Sequence, residues 1–372
     1  MLIDVYAAFA LRTRLIFSEG TYSILTIYSG GNNINIYEES YFYKKILGYE
    51  SISLPLSLTN KLDAYNSFEL SINNKVRNIN AINSKSDLFA FQKNLLNNFL
   101  IYIPLPNCVC GFVKGKNYLD FLKEHLKKDF YLRLDIKDFF PSLKSENIKD
   151  VLDEYIIISD INEKTHVLDT IIDIVTLNGS LPQGAVTSPQ VSNVVFRRLD
   201  IRIRNYCRKF NISYTRYADD MLFSSNDSRL HKDFFVKMIS KILKDNCLEL
   251  NRSKIKKTKE QIVLNGYVVS NRISLSRNKL KKVNTLIYAY ENLDGKKKKP
   301  KNFNEYLNRI TTLEDFFPSL PSNIEGRRNV IVNYLAGYRS YLLSFDKDTY
   351  RDICVTYPNK IKKIEFILKE LM

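Results

Sequence analysis

Residues 214–223 read YTRYADDMLF, two aspartates side by side in a stretch that otherwise favours β-structure. Aspartate is a poor strand former, and adjacent carboxylates repel, so Asp219 and Asp220 need a reason to be there. ISYTRY and MLFSS read as the two strands of a hairpin joined at Ala218-Asp219-Asp220. An aspartate at a hairpin tip can be a plain turn former. Turn aspartates, however, sit among Gly and Asn, whereas here aromatic and aliphatic residues press on both sides. Two like charges at a partly buried sheet edge are costly unless a cation neutralises them. A hard divalent ion such as magnesium, which takes oxygen ligands, is the natural partner.

A third ligand is found upstream. YLRLDI, 131–136, alternates, with Leu132, Leu134 and Ile136 on one face and Tyr131, Arg133 and Asp135 on the other. If this strand pairs beside the hairpin, Asp135, Asp219 and Asp220 converge on one edge. Such a cluster can hold two divalent ions roughly 3.5–4 Å apart, and the chemistry that uses them is in-line phosphoryl transfer, nucleotide addition included. Around these strands, apolar spacing predicts helices over 88–103, after FFPSL (Ile148, Val151, Leu152, Tyr155) and through DFFVKMISKILKDNCL. A further helix is predicted from Ser188 as N-cap and Pro189 as first residue to about Lys209, exposing Arg197, Arg198, Arg202 and Arg204. A strand pair around IVLNGYVVS and RISLS is followed by helices in SRNKLKKVNTLIYAYENL and RNVIVNYLAGYRSYLLSF. The expected fold is α+β with an appended helical domain. Residues 1 to about 70 read as mixed, with β-rich TYSILTIYSG.

The 372 residues carry a net charge of +16, which favours a polyanionic partner. Residues 251–372 hold +13 of it and the first 250 only +3. GKKKKPKN, 295–302, reads as a solvated loop able to touch a nucleic-acid backbone without sequence specificity. The five cysteines include no CxxC pair, which points to a reduced, cytoplasmic protein without a zinc site. No apolar run approaches the ~18 residues of a membrane span.

LDIKDFFPS (134–142), LPQGAVTSPQVSN (181–193) and YADD (217–220), in that order with 84 positions from Asp135 to Asp219, resemble the three central motifs of reverse transcriptases. KVRNI (75–79) after Asn74 and GFVKGKN (111–117) resemble the family's finger segments, LNRSKIKKTK (250–259) its lysine motif, LNGYVVS (264–270) its primer grip and YLAGYRSYL (334–342) a thumb helix. The resemblance covers roughly 75–345 and implies a right-hand polymerase: an N-terminal extension and early fingers over 1–74, fingers over 75–130, an antiparallel-sheet palm over 131–270 (finger elements around 156–182) and a basic helical thumb over 271–372. It implies that Asp135, Asp219 and Asp220 are the catalytic, metal-holding carboxylates for two Mg2+ ions, with Mn2+ as a substitute. It places Phe140 as the ring that excludes a ribose 2′-OH, Gln183 and Gly184 in the nucleotide pocket, Lys75 and Arg77 on the triphosphate, Lys254 near the leaving pyrophosphate, and Gly266 and Tyr267 in the primer grip. Phe139 reads as core, Asp138, His166 and His231 as surface, and His125 as a structural histidine.

Compact length, YADD and FFPS point to the bacterial retron type, although FLKEH (121–125) keeps only His125 of one retron pattern and LNG (264–266) only Gly266 of another. That resemblance implies dNTPs as substrates, a structured noncoding RNA as template and primer, a branched RNA–DNA product, a role in phage defence and a separate effector protein. Three other functions are weighed against it. One is a defence reverse transcriptase with protein-primed or untemplated synthesis. Another is an RNA-binding scaffold whose polymerase site is vestigial. The third is an RNA-directed RNA polymerase, which would carry aspartate where this chain has Phe140.

Overall fold

The structure is a computed structural model that describes residues 35–50, 61–72, 75–293, 295–310, 313–317 and 320–371. The β-rich stretch expected within 21–30 lies outside these residues. The described chain begins with a short helical turn, Glu39–Tyr41, that continues as a π-helix, Phe42–Leu47. A two-stranded hairpin follows, β1 (Tyr65–Ile72) and β2 (Lys75–Ile82). Then come α1 (Asp87–Asn98), α2 (Tyr118–Lys123), β3 (Phe130–Asp135), α3 (Ser145–Leu152) and α4 (Ile161–Val175). After them run α5 (Ser188–Arg208), β4 (Ser213–Tyr217), β5 (Asp220–Ser225), α6 (Asp233–Lys244) and β6 (Lys256–Lys259). A three-stranded sheet, β7 (Ile262–Leu264), β8 (Tyr267–Val269) and β9 (Ile273–Leu275), leads into the helices α7 (Arg277–Glu291), α8 (Ile324–Leu343) and α9 (Pro358–Leu371).

The central sheet has the order β4-β5-β3-β6, antiparallel throughout. Its two faces serve two cores, as the alternation in YLRLDI predicts. Leu132, Leu134 and Ile136, with Met221 and Phe223, sink into a core shared with Val191, Val194 and Phe196 of α5 and Ile239 and Leu243 of α6. Each such fully buried side chain contributes roughly 1.5–3 kcal/mol. Tyr131 and Leu222, on the other face, join Leu119 and Phe121 of α2 and the apolar stripes of α7, α8 and α9. The helical C-terminal third thus grows out of one face of the sheet that carries the aspartates.

Several expectations need correction. The helix expected over 88–103 ends at Asn98, because Phe99 leaves helical geometry (φ −137°), and a 3-10 turn, Leu100–Tyr102, follows. Ser188 is the first residue of α5 and not its cap: its hydroxyl donates back to the Pro182 carbonyl at 2.7 Å, and Thr187 occupies the cap position. On α5, Arg198 and Arg202 are exposed, while Arg197 and Arg204 are half-buried. His231 is no surface residue: it is half-buried, Nε2 lies 2.9 Å from the Tyr131 carbonyl oxygen, and its ring meets Phe130 edge-on. His166 is exposed beside Glu39. His125 is fully buried as expected, with ring nitrogens 2.8 Å from both Ser224 Oγ and Thr215 Oγ1. Among the described residues no helix is long and apolar enough to cross a membrane.

Candidate active site

Antiparallel pairing of β3 with β5 sets Asp135, the last residue of β3, directly opposite Asp220, the first of β5. The Ile136 N–H donates to the Asp219 carbonyl at 3.0 Å, and the Asn251 N–H to that of Asp135 at 2.8 Å. The turn is therefore the pair Ala218-Asp219, one residue shorter than the sequence suggests, with Tyr217 opposite Asp220. Two-residue hairpin turns need a positive φ that Gly usually supplies. Here Ala218 takes it, at +56°.

Buried contacts hold this turn. Arg216 Nη1 donates to the Ala218 carbonyl at 3.1 Å, while Arg216 Nε and Nη2 grip Asp200 of α5 at 2.9 and 2.7 Å. Tyr214 donates its hydroxyl to the same carboxylate at 2.8 Å, and the guanidinium lies 4.5 Å over the Phe196 ring. Both charged side chains are wholly inaccessible. Neither was expected from sequence, yet Asp200 gave a signal: it sits in the apolar stripe of α5 between Phe196, Leu199 and Ile203.

Among the described residues no three His, Cys, Asp or Glu side chains are grouped to hold a metal. Arg133, on the same sheet face as Asp220, donates to its Oδ1 from Nε (2.8 Å) and Nη2 (2.5 Å). Burial still raises the Asp220 carboxyl above its ordinary pKa, outweighing the Arg133 charge. Burial also raises Asp219, and the nearby Asp135 charge adds to it. Asp135, only 2% exposed, has both oxygens taken by Lys254 Nζ, at 2.7 and 2.6 Å. What the edge offers a divalent cation is the pair Asp135 and Asp219, hard oxygen donors whose repulsion a cation would relieve. The donor set fits magnesium, provided Lys254 yields its place.

Phe140 lies half-buried in the helical turn Phe139–Ser142, five residues past Asp135, while Phe139 is core and Asp138 exposed. The Gln183 carbonyl accepts from the Asn80 N–H at 2.8 Å, docking β2 onto the loop before α5. Gly184 is required there: its φ is +128°, and a Cβ would come within 2.5 Å of the Asn80 carbonyl oxygen. Lys75 and Arg77 lie on the same strand, opposite Ile72 and Leu70. Asn265 and Gly266, both at positive φ, form the turn between β7 and β8. Tyr267 is built into an aromatic column, 5.4 Å from Tyr118 and stacked 6.1 Å from Phe345, with Tyr118 in turn 5.1 Å from Tyr217. That column ties the aspartate hairpin to the 3-10 turn Ser344–Asp346 that follows α8.

The family model for reverse transcriptases (RNA-dependent DNA polymerases) matches residues 71–288. The chain is 25% identical over 283 residues to the retron Ec86 reverse transcriptase of Escherichia coli, covering 74% of each chain. It is 31% identical over 156 residues to the retron Mx162 reverse transcriptase of Myxococcus xanthus, covering 38% of this chain and 31% of that one. Among solved structures, apo telomerase from Candida tropicalis aligns with a TM-score of 0.44 at 10% identity, over 82% of this chain and 62% of that one.

Proposed function

The chain belongs to the reverse transcriptase family of RNA-dependent DNA polymerases, and from that premise we propose how its residues carry the reaction and which RNA it copies. The reaction is addition of a dNTP to a primer hydroxyl under the direction of an RNA template. The observation that carries the site assignment is the β3–β5 register, which sets Asp135 against the Asp219-Asp220 corner. Asp135 and Asp219 would hold the divalent ions, with Asp220, fixed beside them by Arg133, as the third carboxylate. Two bound Mg2+ ions, or Mn2+ in their place, would lower the pKa of the attacking hydroxyl and stabilise the leaving phosphate. Lys254, freed from Asp135 when a cation takes its place, would bring its charge to the pyrophosphate side.

Lys75 and Arg77 neutralise triphosphate charge from β2, which the Asn80–Gln183 hydrogen bond holds against the nucleotide pocket. The Phe140 ring excludes a ribose 2′-OH, and Gln183 and Gly184 line the pocket. Fingers (75–130), palm (131–270) and basic thumb (271–372) then enclose an A-form-like duplex, gripped by phosphate and 2′-OH contacts. Gly266 and Tyr267 shape the primer grip. Likeness to retron reverse transcriptases supports a structured noncoding RNA as template and primer, a branched RNA–DNA product, phage defence as the setting and an effector protein as partner.

The test is magnesium-dependent dNTP incorporation on an RNA template. Asp219→Asn is expected to lower it by more than about 100-fold, beyond the loss seen when a residue merely supports a metal ligand. Equal incorporation would eliminate the mechanism and leave an RNA-binding scaffold. Sequencing nucleic acid copurified with the protein tests the template: a branched RNA–DNA supports the retron assignment, and tyrosine-linked DNA replaces it with protein priming.

A further inference from the structure

We propose that Phe112 is a second specificity-determining wall of the nucleotide site, acting beside Phe140 on the sugar of the incoming nucleotide. The proposal rests on the assignment of Phe140 as the ring that meets that sugar.

The chain goes to some length to put Phe112 where it is. Residues 108–111 run alongside β4 at the edge of the sheet: Val109 bridges Arg216 in parallel, the Arg216 N–H donates to the Cys108 carbonyl at 2.8 Å, and the Cys110 N–H donates to that of Arg216 at 2.8 Å. Gly111 then lies flat against the catalytic turn, where a Cβ would meet the Ala218 nitrogen at 2.5 Å. Its carbonyl accepts from Asn193 Nδ2 of α5 at 2.9 Å. Phe112 follows at a φ of +60°. A bulky aromatic residue in the left-handed region is strained and persists only where its surroundings over-determine it. Such strain gathers at functional sites.

The strained backbone does not deliver the ring to a core. Phe112 is 44% exposed. Its aromatic neighbours are Phe140, with centroids 6.3 Å apart and planes inclined by 44°, and Tyr217, at 6.4 Å and 41°. Phe140, Phe112 and Tyr217 thus form a series of tilted rings at the end of the sheet next to Asp219 and Asp220. Two inclined rings present an apolar wedge that suits the C–H face of a deoxyribose. A 2′-OH pressed into it would lose water without gaining a partner, the kind of penalty that separates substrates differing by one hydroxyl.

Phe112→Ala removes the ring. Phe112→Gly removes the ring and also relieves the backbone, so agreement between the two assigns the effect to the ring and not to a collapsed loop. Phe112→Tyr keeps the ring. Single-nucleotide incorporation with dNTP and rNTP is measured for each, beside Phe140→Ala and with melting curves for folding. The expected result is a dNTP KM raised roughly tenfold in both Ala and Gly variants, kcat little changed, and discrimination between dNTP and rNTP narrowed by a similar factor, with Phe112→Tyr close to wild type. The proposal is overturned if Phe112→Ala and Phe112→Gly keep KM and discrimination within twofold of wild type while Phe140→Ala loses discrimination. It is equally overturned if they lower kcat for both nucleotides with discrimination intact, since Phe112 would then only prop the hairpin. Unchanged discrimination in Phe140→Ala is the separate result that removes the gate assignment itself.

Discussion

Lys254 sits on both oxygens of a carboxylate that is 2% exposed. It does the neutralising that a metal would otherwise do. Removing one partner of such a pair strands a buried charge, at a cost of roughly 1–3 kcal/mol or more. Lys254→Ala is therefore expected to lose stability in chelator and to regain more of it on adding magnesium than wild type does. Urea denaturation with and without Mg2+ checks this, and identical magnesium dependence in the two proteins would mean the cation does not go to Asp135. Asp219 predicts a pH effect of definite sign. Its carboxyl is raised from 3.8 by burial and then by the Asp135 charge. Between that value and the raised one the folded chain binds more protons than the unfolded chain. Stability is accordingly lost as pH climbs through the window, and the cost stays in place above it. Metal-free Asp219→Asn should melt higher than wild type at neutral pH, the gap narrowing towards about pH 4. Equal melting at neutral pH would contradict the buried repulsion.

The aspartate hairpin is clamped on both faces. Thr215 and Ser224 face α2 and bond His125, whose basicity burial pushes down to about 3, so the imidazole stays neutral and serves as a fixed link. Arg216 faces α5 and bonds Asp200 and the Ala218 carbonyl. Breaking the buried pair with Asp200→Ala should cost about 3–5 kcal/mol. Arg216→Met with Asp200→Leu should recover much of that stability while dNTP incorporation stays low, because the Ala218 carbonyl has lost its donor. Full activity in the stable double variant would show that the pair serves folding alone. The strands themselves were legible: Leu132, Leu134 and Ile136 alternate with Arg133 and Asp135, and that alternation chooses the faces. The Arg133–Asp220 bond was not, because it runs diagonally between strands and exists in one register only. The left-handed Ala218 was hidden too, since the Arg216 that bonds its carbonyl is itself held by Asp200 of α5, sixteen residues away. Ser188 misled because a hydroxyl before proline suits a cap, whereas its bond goes back to Pro182.

Over the whole molecule the charge is lopsided, +13 in residues 251–372 against +3 before them. Basicity of this kind foretells a polyanion but has no direction, so the path of an RNA–DNA duplex could not be read from sequence. The aromatic column from Tyr217 through Tyr118 and Tyr267 to Phe345 likewise joins residues distant in sequence, and only folding brings them together. Binding of an RNA–DNA duplex should weaken steeply with salt. Replacing Lys296–Lys299 by alanine should flatten the log K against log [salt] slope, by up to about 3–4 if all four lysines meet phosphates, and leave kcat at saturation unchanged. An unchanged slope would return that run to a plain solvated loop. Everything in the mechanism depends on Asp135 and Asp219 holding divalent ions together, and the most direct measurement is Mn2+ binding followed by electron paramagnetic resonance, with primer–template and dNTP present. Wild type should bind Mn2+ tightly and both Asp135→Asn and Asp219→Asn should lose that binding; undiminished binding in either variant would contradict the shared site.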